Sequence, residues 1–126
     1  MKIYISADLE GVTGVTDWNE TIKKEGDYKE YAHQMTLEVK AACEGANNIG
    51  VDEIWVHDAH DSGRNIDHNL LPKNTKLIRG WSGHMYSMVQ DLDETFDALL
   101  FVGYHSAGGT TTNPLSHTMN TKIQHI

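Results

Sequence analysis

The sequence predicts an α/β domain with a largely parallel sheet flanked by helices. Apolar runs typical of strands alternate with helical and polar segments along the 126 residues, and several of these runs end in acidic or imidazole side chains. A hydrophobic content of 39% and only 2 prolines suit a folded domain. This length suffices for one core but not for two, so residues 1–126 form one predicted domain.

The first strand is predicted at residues 2–8, where β-branched and aromatic residues precede a polar end. A helix is predicted from Tyr28 to Ile49, with Gly50 as its left-handed cap. Its apolar residues recur at three- and four-residue steps: Tyr31, Met35, Val39, Ala42 and Ala46.

Three further strands and a short helix are predicted after this helix. The second strand runs from Glu53 to Val56, the third lies within 75–80, and a short helix is expected within 87–95. The fourth strand, within 97–105, is nearly all apolar, which predicts a central position in the sheet. Another strand is expected to begin within 116–126.

The composition excludes several partner classes. With 10 basic and 18 acidic residues the net charge is −8, so neither nucleic acid nor an anionic membrane is an expected partner. No apolar run reaches the ~20 residues that cross a bilayer, and the N-terminus lacks the pattern of a signal peptide. A cytoplasmic location is therefore expected. The single cysteine, Cys43, is predicted to be a buried apolar residue.

Candidate metal ligands follow three of the strands. Asp8 and Glu10 follow the first strand, His60 follows the second, and His105 follows the fourth. The carboxyl ends of parallel strands meet at one edge of a sheet, so these side chains are expected to converge there. Carboxylates mixed with imidazoles suit zinc, and less selectively manganese or iron.

The spacing of the two acids supports this interpretation. In an extended segment Asp8 and Glu10 point to the same side, and two close carboxylates repel unless a cation or a proton lies between them. A bridging carboxylate could hold two ions ~3.5–4 Å apart. Other roles stay open: Asp8 could be a turn residue, Glu10 could be solvated, and His60 could be a loop histidine bonded to a neighbouring aspartate.

His117 is a candidate for proton transfer or for stabilising an oxyanion. Its neighbour Ser116 cannot form a catalytic dyad with it, because adjacent side chains on a strand point apart. A structural role is the alternative. The remaining histidines are expected at the surface or in packing: His33, His68, His84 and His125.

Four short segments together resemble one family. SADLEG, HDAH, GYHS and LSHTM occur in this order, and the chain resembles the zinc-dependent D-aminopeptidases of the DppA type over all 126 residues. The resemblance implies that Asp8 bridges two zinc ions, that Glu10 and His60 complete one site, and that His105 serves the other. It assigns catalysis to His117.

The implied function is a binuclear zinc aminopeptidase. It would release N-terminal D-amino acids from short peptides through a metal-bound hydroxide, within a ring-shaped homo-oligomer. Family members continue beyond this length and supply a further glutamate ligand, so the chain is expected to be the N-terminal metal-binding part of a longer enzyme. Alternatives are another metal-dependent amidohydrolase, a phosphoesterase, or a non-catalytic α/β binding module.

Overall fold

The computed structural model describes residues 1–119 and confirms the α/β class. Its helix and strands are α1 (Tyr28–Asn48), β1 (Lys2–Ala7), β2 (Glu53–Asp58), β3 (Thr75–Ile78) and β4 (Ala98–Val102). Three single 3-10 turns connect them: Trp18–Glu20, His68–Leu70 and Ser87–Val89.

The four strands form one sheet in the order β3-β2-β1-β4. Every neighbouring pair is parallel, and β1 pairs with β2 from Lys2 opposite Glu53 to Ala7 opposite Asp58. All four strands therefore point their carboxyl ends toward the same edge, which is where the predicted ligands lie.

Helix α1 covers one face of the sheet. Its apolar stripe includes Met35, Val39 and Cys43, all fully buried, and they pack in one core with Ile5 and Val56 of the strands. Cys43 is thus a buried packing residue, as expected. No helix within residues 1–119 is both long and apolar enough to span a membrane.

A segment without regular strands, residues 81–97, covers the opposite face. The Tyr4 hydroxyl donates a hydrogen bond of 2.7 Å to the carbonyl of Gln90. Phe96 packs edge-on against the rings of Tyr4 and Trp55, with ring centroids 5.3 Å and 5.6 Å apart. This segment therefore lies between the sheet and solvent. Its first half, with Trp81 and Met88, lies at the carboxyl edge of the sheet, and its end at Asp97 pairs with Lys2 at the opposite edge.

The prediction that the fourth strand is central was wrong. Within the described residues β4 lies at the edge of the sheet, and its side chains Leu99, Leu100 and Phe101 remain exposed. An apolar sequence indicates that both faces of a strand need covering, but it does not specify the order of strands.

One other sequence expectation needs correction. The helix expected within 87–95 is only the 3-10 turn at Ser87–Val89, because Ser87 and Asp91 adopt positive φ values of 44° and 63° that a helix cannot contain. The strand expected to begin within 116–126 stays a prediction: His117 forms an isolated bridge with Ala107, and residues 120–126 lie outside the described residues.

Candidate metal centre

Three of the predicted ligands form a compact buried group at the carboxyl edge. Nδ1 of His60 lies 3.2 Å from Oδ1 of Asp8 and 3.1 Å from Oε2 of Glu10. One potential ligand atom from each of these side chains lies within 4.8 Å of the others. All three side chains are at least nine-tenths buried. Two carboxylates and an imidazole at these separations can bind one divalent cation.

A tight contact between two turns positions the acids. Strand β1 ends at Ala7, so Asp8 and Glu10 converge through a turn and not through the strand alternation that the sequence predicted. The N–H of Gly11 donates to the carbonyl of Gly103 at 2.8 Å. A Cβ at Gly11 would lie 1.9 Å from the carbonyl oxygen of Tyr104, so only glycine fits there.

The protonation of His60 is set by a backbone carbonyl. Its Nε2 lies 2.8 Å from the carbonyl oxygen of Thr21, which can only accept a hydrogen bond. The proton on Nε2 is therefore fixed, and Nδ1 is the nitrogen presented to the two acids. This arrangement is typical of metal-bound histidines, whose second nitrogen donates to a carbonyl or carboxylate.

The three side chains shift one another's pKa values through their hydrogen bonds and charges. Burial alone lowers the pKa of His60, but the hydrogen bonds and charges of Asp8 and Glu10 outweigh it and raise that pKa to about 10. Burial also opposes ionisation of Glu10, yet its bonds with His60 and Asp8 lower its pKa to about 2. Burial raises the pKa of Asp8, and the charge of Glu10 adds to this. In the metal-free fold a proton on Nδ1 of His60 thus occupies the place where a cation fits.

His105 lies on the other side of Asp8. Its Nδ1 donates to the carbonyl of Ser106 at 2.9 Å, and its Nε2 lies 3.7 Å from Oδ2 of Asp8. The His117 ring stacks on His105 with centroids 3.5 Å apart, and its Nδ1 donates to the carbonyl of Leu115 at 2.7 Å. The structure therefore gathers all five predicted site residues at one edge, although the first of them, Asp8, and the last, His117, lie near opposite ends of the chain.

Asp58 supports this edge without facing the acids. Its carboxylate accepts hydrogen bonds from the backbone N–H groups of Asn65 and Ile66, at 2.5 Å and 2.8 Å. The side-chain amide of Asn65 also donates to the carbonyl of His60 at 2.7 Å. Asp58 thus holds the loop that carries His60, which follows the end of β2.

A cleft of about 270 Å³ opens above Asp8, His60 and His105, and its outer wall contains Trp81 and Met88. The sequence does not indicate this wall, because a tryptophan and a methionine in a polar loop have no distinguishing spacing. Nor does it indicate the Thr21 carbonyl, since a backbone acceptor leaves no signature in residue identity.

A parallel α/β sheet with acids and imidazoles gathered at its carboxyl edge defines a class of candidate metal-dependent hydrolases. Comparison with known proteins specifies the class further. A sequence model of a peptidase family described as D-aminopeptidase matches residues 1–126, and the chain belongs to that family.

Two matches from Bacillus subtilis, one to a curated sequence and one to a solved structure, describe this similarity in more detail. A D-aminopeptidase of strain 168 is 34% identical over 126 residues, which is 100% of this chain and 45% of that protein. The solved structure of the Zn-dependent D-aminopeptidase DppA, described as a self-compartmentalizing protease, matches with a TM-score of 0.93 and 34% identity. That match covers 99% of this chain and 45% of the solved chain. The chain thus spans less than half the length of the relatives that it matches.

Proposed function

We propose that this protein is a binuclear zinc aminopeptidase that removes N-terminal D-amino acids from short peptides. The observation that carries the proposal is the position of Asp8. Its Oδ1 faces His60 and its Oδ2 faces His105, so one carboxylate lies between two imidazoles. That arrangement is the one expected of a carboxylate shared by two ions, and family membership supports the peptidase chemistry.

The donor set fits zinc. Glu10 and the Nδ1 of His60 would hold one ion with Asp8, and the Nε2 of His105 would contact the second. Zinc bound at such sites supplies a Lewis acid and lowers the pKa of a coordinated water to about 7. A metal ion at the second position would also offer a binding place for the free amine of a peptide, which supports an exopeptidase over an endopeptidase.

His117 is proposed to move a proton or stabilise the oxyanion during cleavage. Its Nδ1–H is held by the Leu115 carbonyl, which leaves Nε2 as the nitrogen able to exchange a proton with substrate. The ring lines the cleft above the ligands and packs edge-on against Trp18, with centroids 5.2 Å apart. A homo-oligomeric assembly is also proposed, on the analogy of the self-compartmentalizing relative.

The test combines metal content with stereoselective cleavage. Where the further glutamate of the family is present to complete the second site, we expect close to two zinc ions per subunit by elemental analysis, and faster cleavage of D-Ala p-nitroanilide than of L-Ala p-nitroanilide. His117→Gln is expected to lower kcat by at least ~100-fold with zinc content unchanged. His33→Gln, at an exposed position on α1, is the matched control and should leave both unchanged.

Two results would overturn the proposal. A folded protein that binds no zinc would favour a binding module, and zinc-dependent cleavage that prefers L-substrates would favour a different amidohydrolase.

A further inference from the structure

We infer that Trp81 and Met88 form the surface that contacts the side chain of the substrate's N-terminal residue and limits its size. The inference rests on the proposed aminopeptidase function, and it assigns a specificity role to residues outside the metal-binding group. Met88 and Trp81 line the cleft of about 270 Å³ above Asp8, His60 and His105.

Met88 is held in place by hydrogen bonds from two buried side chains to its backbone carbonyl. Its carbonyl accepts hydrogen bonds from the Ser6 hydroxyl at 2.5 Å and from Nδ1 of His57 at 3.0 Å. Both Ser6 and His57 are fully buried. The Ser6 hydroxyl also lies 2.6 Å from that of Tyr104, the residue before His105. The position of Met88 is therefore fixed relative to the strand ends that carry the ligands.

Trp81 is fixed by a similar pair of contacts. Its indole N–H donates to the carbonyl of Asp61 at 2.7 Å, and its ring meets the His57 ring edge-on with centroids 5.1 Å apart. Asp61 follows His60 directly. His57 thus touches both wall residues, which gives a physical role to a histidine that the metal-binding group does not use.

The covalent structure of a peptide indicates that the side chain of the N-terminal residue lies in this cleft. The α-carbon of that residue is bonded directly to both the amine and the scissile carbonyl, so its side chain must emerge beside the ligands. The cleft with Trp81 and Met88 contains all four predicted ligands. A neighbouring cleft with Trp18 and Ile22 contains Glu10 and His60 but neither Asp8 nor His105, so it suits the departing part of the peptide.

Trp81 and Met88 give an apolar surface to one side of a cleft that the carboxylates of Asp8, Glu10 and Asp61 also line. An indole and a thioether offer contact area, and neither carries charge to neutralise a charged side chain. One or two methylenes in such a pocket change discrimination by about 10-fold or more. Shortening Met88 is therefore expected to admit larger N-terminal side chains, while the ligands keep their places.

The experiment compares two methionines of the same segment in the zinc-loaded full chain. Met88 lines the cleft, whereas Met85 is 85% exposed and does not line it. The ratio of kcat/KM for D-Phe over D-Ala p-nitroanilide is measured for wild type, Met88→Ala and Met85→Ala. Calorimetric binding of free D-phenylalanine and D-alanine provides a readout independent of turnover.

We expect Met88→Ala to raise the D-Phe to D-Ala ratio about 10-fold and to tighten D-phenylalanine binding, with zinc content unchanged. Met85→Ala should match wild type. Trp81→Phe, which also widens the cleft, is the second variant and is expected to shift the ratio in the same direction if Met88→Ala does not fold.

Equal ratios in the cleft variants and wild type would overturn the inference. So would a shifted ratio in Ile22→Ala with none in the Met88 and Trp81 variants, because the side chain would then occupy the neighbouring cleft. Failure of the proposed function looks different, since wild type would then cleave neither D-substrate or would cleave the L-substrate faster.

Discussion

At the residue scale, the metal centre depends on how closely two turns approach each other. The turn after β1 carries Asp8 and Glu10, and the turn after β4 leads to His105. Gly11 and Gly103 form the contact between these turns, and a Cβ at Gly103 would lie 2.3 Å from the carbonyl oxygen of Asp8. The two glycines therefore set the distance between the acids and His105.

Gly11→Ala is expected to separate the two turns. The added Cβ would overlap the Tyr104 carbonyl, which belongs to the backbone and cannot rotate away. We expect a loss of roughly 1–3 kcal/mol in the free energy of unfolding and markedly weaker zinc binding. Chemical denaturation and chelator competition measure the two effects.

Gly45→Ala provides the matched control. Gly45 lies within α1, and nothing lies within 4 Å of a Cβ placed there. Alanine favours a helix interior over glycine by about 1 kcal/mol, so this variant should be slightly more stable and bind zinc as wild type does. If Gly11→Ala behaves like Gly45→Ala, the contact between the turns does not determine the site.

At the element scale, the 3-10 turn Trp18–Glu20 and the residue after it contact two of the predicted site residues. The Trp18 ring packs against His117, and the Thr21 carbonyl bonds His60. Asp17 and Glu20 cap this turn reciprocally, and Glu20 accepts hydrogen bonds from the N–H groups of Thr16 and Asp17 at 2.6 Å and 2.8 Å. The next residue, Thr21, supplies the carbonyl that holds His60. The orientation of His60, a predicted ligand, therefore depends on the conformation of this short turn.

Glu20→Ala is expected to weaken zinc binding without removing a ligand. Loss of both backbone bonds frees the turn, so the Thr21 carbonyl no longer holds His60 in one orientation. Partners of metal-bound histidines affect affinity by about 10–100-fold, and we expect a change in that range by chelator competition. Glu25→Ala, at an exposed position just beyond the turn, should bind zinc as wild type does.

The sequence predicted the elements with strong periodicity and the residues with distinctive chemistry. Helix α1, strands β1 and β2, and the convergence of Asp8, His60 and His105 follow from apolar spacing and from the rule for parallel sheets. The helix expected at 87–95 was wrong because two positive φ values in that segment override an apolar pattern. Contacts made through backbone carbonyls, such as those of Thr21 and Met88, could not be predicted, because any residue provides a carbonyl.

At the scale of the whole molecule, the site joins parts of the chain that are distant in sequence. Asp8, His60 and His105 follow three different strands, and each lies 45 or more positions from the next. A cation bound to all three would link β1, β2 and β4 in the folded state only. Because the unfolded chain lacks this arrangement, the binding free energy adds to the free energy of unfolding.

Zinc is therefore expected to raise the melting temperature, and more so at higher pH. Free zinc at 100 times its Kd adds about 2.7 kcal/mol to the free energy of unfolding, which raises the melting temperature by roughly 10 °C for a domain of this size.

The pH dependence follows from His60. Its pKa is about 10 in the metal-free fold, above its unfolded value of about 6.5. The stability contributed by that proton is complete below pH 6.5 and is lost as pH rises toward 10. Zinc must displace the proton, so at a fixed zinc concentration the shift should be larger at pH 8 than at pH 6. Thermal denaturation at both pH values measures it, with Asp8→Asn expected to show little shift; an equal shift in that variant would place the stabilising ion elsewhere on the molecule.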